Sequence, residues 1–179
     1  MKGFPSGLEV IPDFVTEDEE RRYLEHVTQA EWNTSLKRRT QHYGFEYDYK
    51  SKTAAKKVTP LPEWTEELCV KLNPFFGQHP EQMIVNEYKP GQGIGAHIDK
   101  TDAFGPVIVS VSLGADIIMD LSHGESKIAL PLPRRSALVL RDDARYKWYH
   151  AIASRTHDNG KPRTTRVSLT FRTMKKKKK

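Results

Sequence analysis

From residue 82 onward, the sequence is a succession of short apolar runs separated by turn-forming residues. The runs are rich in valine, isoleucine and leucine, and glycine, proline or aspartate separates them. Segments of this length and composition are typical of β-strands. They cover residues 82–88, 94–99, 107–113, 115–121, 126–132, 136–140, 146–152 and 164–172. A series of short strands such as this predicts a closed or double-sheet β architecture.

Two helices are predicted before these strands. Thr16 and Glu19 have the spacing of a capping box, and apolar residues then recur at intervals of three or four, which predicts an amphipathic helix over residues 16–30. A shorter helix is predicted over residues 63–72, after two prolines. Between them, residues 44–49 alternate aromatic and polar side chains, as a strand with one aromatic face does. The expected fold is therefore mainly β with flanking helices (α+β).

The length of 179 residues suits one domain, which we expect to span residues 1–174, with a basic disordered tail at residues 175–179. Polar residues 157–162 predict an exposed loop. One cysteine excludes an intramolecular disulfide and a zinc site built from cysteines, and it indicates a reducing compartment. No segment has the pattern of a signal peptide or a membrane span. We expect an intracellular protein of the cytoplasm, the nucleus or both, with no membrane partner.

The formal net charge of +6 is a weak argument for nucleic-acid binding, because the tail supplies five lysines and the rest of the chain carries 6 − 5 = +1. The distribution of charge is more informative. Residues 37–57 hold seven lysines and arginines against only Glu46 and Asp48. One segment of the chain is therefore locally basic.

His97 and Asp99 form a candidate metal site. Side chains two residues apart on a strand point to the same face, so both can reach one metal ion, and His150 on another predicted strand can supply a third ligand. Two histidines and one carboxylate leave coordination positions open, as iron(II) oxygenases require. A hydrolytic zinc site is the competing metal interpretation. A surface carboxylate beside an unrelated histidine is the common explanation of such a short motif.

Arg166, Ser168, Thr170 and Arg172 share one face of the last predicted strand, because they alternate with apolar residues. At about 3.3 Å per residue, the two arginines lie about 20 Å apart along the backbone, and their side chains can swing inward. An arginine binds a carboxylate through two hydrogen bonds and stays charged when it is partly buried. A solvent-facing strand with its apolar residues in the core is the alternative.

The ordered set of motifs from about residue 36 to the last strand resembles the AlkB-type iron(II)- and 2-oxoglutarate-dependent dioxygenases. The motifs are Asn86-Glu87-Tyr88, Pro90-Gly91-Gln92-Gly93-Ile94, His97-Ile98-Asp99, an isolated His150, and Arg166 with Arg172. The resemblance implies a double-stranded β-helix, which is a relative of the jelly roll. It also implies iron(II) as cofactor, with 2-oxoglutarate and O2 as co-substrates.

The same resemblance implies a role for each motif residue. His97, Asp99 and His150 are expected to bind the iron. Asn86 and Tyr88 are expected to form hydrogen bonds to 2-oxoglutarate, whereas ordinary packing and turn roles are the alternative for this pair. Arg166 is expected to pair with the distal carboxylate, and Arg172 to support Asp99 and the metal end of the co-substrate.

The family carries a substrate lid before the metal strand, and residues 38–47 occupy that place here. Basic residues interleaved with aromatic ones suit an unstacked base and its phosphates, and we expect Arg39, Tyr43 and Gly44 to contact the substrate. A hairpin that buries its aromatic residues in the core is the alternative. Together with Ala103-Phe104, Leu132-Pro133-Arg134-Arg135-Ser136 and Arg145-Tyr146-x-Trp148, this lid looks most similar to the branch that hydroxylates wobble uridines in tRNA. Thr101 departs from the DNA-repair branch, in which an acidic residue commonly stands at this position.

We therefore expect a dioxygenase that oxidises alkyl groups on modified bases in DNA or RNA, with tRNA as one such substrate. The base would be single-stranded or flipped, the outcome demethylation or stable hydroxylation, and the protein a monomer. Two alternatives stay open: the same chemistry on a protein or small molecule, and a non-catalytic nucleic-acid-binding module.

Overall fold

The structure is a computed structural model that describes residues 3–48 and 53–176. In chain order, its elements are β1 (Leu8–Ile11), α1 (Glu17–Gln29), β2 (Thr40–Asp48), β3 (Thr53–Thr59), a 3₁₀ turn (Glu63–Thr65), α2 (Glu66–Phe76), β4 (Gln82–Tyr88), β5 (Ile94–His97), β6 (Phe104–Leu113), β7 (Ile117–His123), β8 (Ser126–Leu132), β9 (Ala137–Leu140), α3 (Asp142–Tyr146), β10 (Tyr149–Ile152), β11 (His157–Asp158), β12 (Lys161–Pro162) and β13 (Arg166–Met174). Some residues named in the sequence predictions lie outside the described part of the chain. They are Tyr49 of the predicted aromatic strand, residues 50 and 52 of the basic segment, and residues 177–179 of the basic tail.

Two antiparallel sheets form the body of the molecule. The major sheet has seven strands in the order β1-β9-β6-β13-β4-β2-β3, and the minor sheet has four in the order β5-β10-β7-β8. One apolar cluster joins the facing sides of the two sheets, with Ile108 and Leu138 contributed by the major sheet and Met119 and Leu130 by the minor sheet. This architecture confirms the predicted jelly-roll arrangement, mainly β with flanking helices.

The helices cover the other side of the major sheet. A second apolar cluster contains Tyr23 and Val27 of α1, Leu68 and Leu72 of α2, and Phe171 of β13. Burial of these side chains is the main force that holds the helices on the sheet. The major sheet is therefore buried on both faces, by α1 and α2 on one side and by the minor sheet on the other.

The predicted helix over residues 16–30 is confirmed, because Thr16 caps α1 and completes a capping box with Glu19. The second helix begins as the 3₁₀ turn and continues to Phe76, beyond the predicted end at residue 72. Gly77 ends it in the left-handed conformation that glycine adopts without strain. Among the described residues, no helix has the length and apolar character needed to span a membrane.

Strands β4 and β8 have the predicted bounds, whereas the other strands predicted from residue 82 onward differ at one or both ends, mostly by two or three residues. Three differences matter for the site and its surroundings. The metal strand ends at His97, before Asp99. The predicted strand over residues 146–152 begins only at Tyr149, after α3. The polar loop predicted over residues 157–162 is a small hairpin, in which Asn159 and Gly160 have the positive φ angles of a tight turn.

Strand β2 is longer than the predicted aromatic strand, and its aromatic residues Tyr43 and Phe45 do not share a face. The pairing with β3 shifts between Gly44 and Phe45. Because a bulge reverses the alternation of side chains, Tyr43 packs with the helices while Phe45 packs between the sheets. Gly44 has a φ of +87°, and a Cβ at this position would lie 2.1 Å from the carbonyl oxygen of Glu81.

Candidate active site

A cleft opens between the two sheets, and both sheets contribute to its walls. Its polar lining comes mainly from β4, β13 and the two histidine strands β5 and β10, and its apolar lining comes from β6, β7, β9 and these same two strands. The lining residues are Asn86, Tyr88, Ile94, His97, Asp99, Ile108, Ser110, Met119, Leu138, Leu140, His150, Ile152, Arg166, Ser168, Thr170 and Arg172. All seven residues predicted to bind metal or 2-oxoglutarate therefore line one cleft.

His97 and His150 are direct neighbours across the β5–β10 pair, although 53 positions separate them in the chain. Their ring centroids lie 4.3 Å apart. Asp99 completes the group, with its Oδ1 atom 3.4 Å from Nε2 of His97 and 3.5 Å from Nε2 of His150. The three ligand atoms all lie within 4.8 Å of one another, so one metal ion can contact them together.

Hydrogen bonding sets the orientation of these ligands. Nδ1 of His97 donates to the carbonyl oxygen of Gly95 at 2.8 Å, which directs Nε2 toward the shared centre. The hydrogen bond to Asp99 raises the pKa of His97 against the opposing effect of burial. Burial by itself would raise the pKa of Asp99, but Arg172 and the two imidazoles hold it well below its usual range. Two imidazoles beside a carboxylate are a donor set that suits iron(II) and leaves positions open for small ligands.

Arg172 lies behind Asp99 at the metal end of the cleft. Its Nε donates to Oδ2 of Asp99 at 2.7 Å, and its Nη1 donates to Oε1 of Gln82 at 2.9 Å. The guanidinium also stacks over the ring of Phe104, with its central carbon 4.7 Å from the centroid. Arg172 thus fixes one carboxylate oxygen of Asp99 and leaves the other facing the histidines.

Arg166 lies farther along β13 and is 1% exposed. Its Nε and Nη2 donate to Oγ of Ser112 at 3.2 and 2.9 Å, and its guanidinium lies 5.5 Å from the ring centroid of Tyr88. Within the described part of the chain, no carboxylate pairs with this guanidinium. Burial lowers the pKa of Arg166 to about 10, so it is still cationic at neutral pH. A buried cation on the wall of a cleft favours an anionic ligand.

The polar face of β13 points into the cleft. Ser168 and Thr170 lie between the two arginines, and the Ser168 hydroxyl lies 3.0 Å from that of Ser110 on β6. Because β13 is the central strand of the major sheet, this face meets the minor sheet instead of solvent. The alternative of a solvent-facing strand is therefore wrong.

Asn86 and Tyr88 lie on the neighbouring strand, directly opposite Ser168 and Arg166. Nε of Arg38 donates to Oδ1 of Asn86 at 3.1 Å, which leaves the Asn86 amide nitrogen as the donor available to the cleft. Arg38 lies within the predicted lid, but no sequence pattern distinguished it from the other basic residues there.

The three residues predicted to contact the substrate, Arg39, Tyr43 and Gly44, are not among the residues that line the cleft, and their contact with the substrate stays a prediction. Arg39 binds both carboxylate oxygens of Glu87 at 2.9 Å and stacks over Trp32. The Tyr43 side chain packs with the helices, and its hydroxyl donates to Gln41. Gly44 permits the close passage of β2 beside residue 81. Alternation along β2 decides this placement, because Tyr43 pairs with Met83 on the helix side of the sheet.

Known proteins are similar to this chain in sequence and in fold. A family model described as the 2OG-Fe(II) oxygenase superfamily matches residues 7–172. The mouse (Mus musculus) protein named tRNA (carboxymethyluridine(34)-5-O)-methyltransferase ALKBH8 is 38% identical over 172 residues, which cover 88% of this chain and 26% of that protein. The Alkylated DNA repair protein ALKBH8 homolog of Arabidopsis thaliana is 35% identical over 199 residues, covering 93% of this chain and 58% of that protein.

Among solved structures, OsALKBH1 superimposes with a TM-score of 0.71 at 17% identity, covering 95% of this chain and 98% of that one. At this identity, the similarity supports the fold alone. The chain spans about a quarter of the length of the mouse relative and somewhat more than half of the plant relative.

Proposed function

Because the chain belongs to the 2OG-Fe(II) oxygenase superfamily, and is thus an iron(II)- and 2-oxoglutarate-dependent dioxygenase, we propose that it oxidises alkyl groups on modified bases in nucleic acid. The iron and the two co-substrates follow from the family and fit the donor set of the cleft. The assignment of individual residues and of the substrate is our proposal.

We infer that His97, Asp99 and His150 bind the iron. Their ligand atoms converge on one point, and Arg172 keeps the Asp99 carboxylate ionised and oriented. A structural zinc site needs a closed shell of four ligands, and within the described residues this group offers three. Three protein ligands on one side suit a metal that must also bind a co-substrate and O2.

The burial of Arg166 carries the co-substrate assignment. We propose that its guanidinium binds the distal carboxylate of 2-oxoglutarate, because it is fully buried, cationic and without a carboxylate partner in the described residues. Asn86 and Tyr88 lie beside it and are proposed to donate hydrogen bonds to the same molecule. Arg172, at the other end of β13, supports the metal end through Asp99.

When bound, iron(II) and 2-oxoglutarate reduce O2, and the products are succinate, carbon dioxide and a substrate in which a C–H bond has become C–OH. The residues of the chain hold the reactants and shape the cleft. Ile108, Met119 and Leu138 form an apolar wall that excludes water from the site. If the oxidised carbon is attached to nitrogen, the product releases an aldehyde and the free base; if it is attached to carbon, the hydroxyl stays.

The nucleic-acid substrate is supported by the relatives, one named for a reaction on tRNA and one for repair of alkylated DNA. Within this class, we propose a base that is single-stranded or flipped, since the reacting atom must enter a cleft between two sheets. tRNA is our favoured substrate because of the mouse relative. We further propose that the protein acts as a monomer in the cytoplasm, the nucleus or both, where such substrates occur.

An assay of succinate release tests this proposal. The chain is incubated with iron(II), 2-oxoglutarate and single-stranded DNA, RNA or tRNA carrying defined modified bases, and mass spectrometry identifies the product. We expect H97A to abolish both succinate release and base oxidation, because it removes a metal ligand. H79A is the matched control, since His79 pairs with Glu66 on the helix side, away from the cleft. Full activity in H97A would contradict the assignment of the metal site.

One observation favours a second candidate, the same chemistry on a protein or small molecule. Arg39 and Tyr43, which the sequence suggested for nucleic-acid contact, are engaged within the protein. This candidate predicts that 2-oxoglutarate turnover is not stimulated by any of the nucleic acids and that single-stranded oligonucleotides do not bind at low salt, where phosphate contacts are strongest.

A further inference from the structure

Arg145 is a fully buried arginine to which the proposed chemistry gives no role. It lies on α3, five residues before His150, and is 2% exposed. Within residues 3–48 and 53–176, no carboxylate forms an ion pair with it. Its guanidinium donates instead to backbone carbonyl oxygens, those of Asp99 (2.7 Å), Gly105 (3.1 Å), Lys100 (3.4 Å) and Phe104 (3.4 Å). One side chain thus holds the whole turn that follows the metal strand.

Asp99 needs such support because it lies outside the sheet. His97 and His150 are registered against each other by the β5–β10 pair, so the ladder fixes their backbones. β5 ends at His97, and Asp99 lies two residues beyond its end. At Asp99, the hydrogen bond from Arg145 to the backbone carbonyl oxygen takes the place of the hydrogen bonds between strands that fix the two histidines.

A second arginine, Arg172, holds the side chain of Asp99. Arg172 binds the Asp99 carboxylate and stacks on the aromatic ring of Phe104. The backbone carbonyl oxygen of Phe104 accepts a hydrogen bond from Arg145. The side chain and the main chain of Asp99 are therefore fixed by separate arginines from separate elements.

We propose that Arg145 is a positioning residue that holds the main chain at Asp99, so that its carboxylate meets the two histidines in metal-binding geometry. It also couples α3, which leads into His150, to the turn after His97. This inference rests on the proposed metal site and deepens it. Groups that orient metal ligands in this way typically change metal affinity by about 10–100-fold when they are replaced.

Arginine suits this position better than lysine. A guanidinium presents five N–H donors in one plane and can serve several carbonyl groups at once, whereas an ammonium group has three donors around a single atom. R145K keeps the charge and most of the volume but is expected to lose contact with Asp99 or with Gly105, which lie in different directions from the guanidinium.

The test is a titration with Co(II), which occupies iron(II) sites and absorbs visible light according to its ligand geometry. We expect R145K to bind Co(II) about 10–100-fold more weakly than the unsubstituted chain, with an altered visible spectrum. Urea denaturation, measured without metal, establishes that the variant is folded under the conditions of the titration.

R163K is the matched control. Arg163 is another buried arginine that donates to backbone carbonyl oxygens, those of Ala153 and Arg155, but it pairs with Asp158 and does not contact the three metal ligands. We expect R163K to lose stability while its Co(II) affinity stays within about twofold. Equal Co(II) affinity in a folded R145K, or an equal loss in R163K, would overturn the inference. If the unsubstituted chain itself fails to bind Co(II), the proposed metal site fails instead.

Discussion

Replacing Arg166 by methionine tests whether this buried charge stabilises the fold or binds 2-oxoglutarate. In most proteins, a buried arginine pairs with a carboxylate, and its loss leaves that carboxylate unpaired and the fold weaker. Arg166 has a serine hydroxyl as its hydrogen-bonding partner instead. R166M removes a desolvated charge and replaces it with an apolar side chain of similar length. We therefore expect the stability of the ligand-free protein to stay the same or to rise.

The binding of 2-oxoglutarate should change in the opposite direction. A hydrogen bond to a charged group contributes about 1.5–3 kcal/mol, and a guanidinium can donate two to one carboxylate. Allowing for water that partly replaces them, we expect a loss of about 3 kcal/mol, which is about 100-fold in Kd. A concentration of 2-oxoglutarate of 100 Kd stabilises the unsubstituted protein by about 2.7 kcal/mol, and the same concentration should stabilise R166M by only about 0.4 kcal/mol.

Urea denaturation of the metal-loaded protein, under nitrogen and with and without 2-oxoglutarate, measures both effects. R163M is the control, because Arg163 is buried against the carboxylate of Asp158. R163M should lower the free energy of unfolding by about 2–4 kcal/mol and keep the stabilisation by 2-oxoglutarate. The reasoning is refuted if R166M retains its affinity for 2-oxoglutarate within threefold, or if the ligand-free variant is destabilised as much as R163M.

Two further predictions concern the fold. Burial acts to raise the pKa of Glu20, but hydrogen bonds from Arg134 and a backbone N–H lower it overall, so this carboxylate stabilises the fold above its unfolded pKa of 4.5 and loses that contribution as the pH falls. E20Q should therefore cost about 1–3 kcal/mol at pH 7 and less at pH 4 in urea titrations, and an equal cost at both pH values would contradict the role of the charge. G44A should lower the free energy of unfolding by more than about 2 kcal/mol, because residue 44 has a positive φ and a Cβ there would clash with the backbone of Glu81. G77A should lower it by only about 1 kcal/mol, because Gly77 has a positive φ but open space around it. Similar losses for the two variants in thermal unfolding would contradict the role of the close approach.

Local patterns in the sequence predicted several parts of this protein well. The capping box at Thr16 gave the start of α1, because it depends only on residues within one turn. Short apolar runs between turn-forming residues gave β4 and β8 with their bounds, and period-two alternation placed Arg166 and Arg172 on one face of a strand. The i, i+2 spacing of His97 and Asp99 predicted that both side chains reach one centre, as they do, although Asp99 lies beyond the end of β5.

Only the tertiary structure decided which of these faces meet. The pairing of β5 with β10 brings His150 beside His97, and the central position of β13 turns its polar face into the cleft. The pairing of β2 with β4 places Tyr43 beside Met83 on the helix side of the major sheet, away from that cleft. Arg145 reaches the turn at Asp99 across 46 positions, so its role has no local signature. Alternation fixes which side chains lie together on a strand, but the partner of that face is set by contacts between residues far apart in the chain.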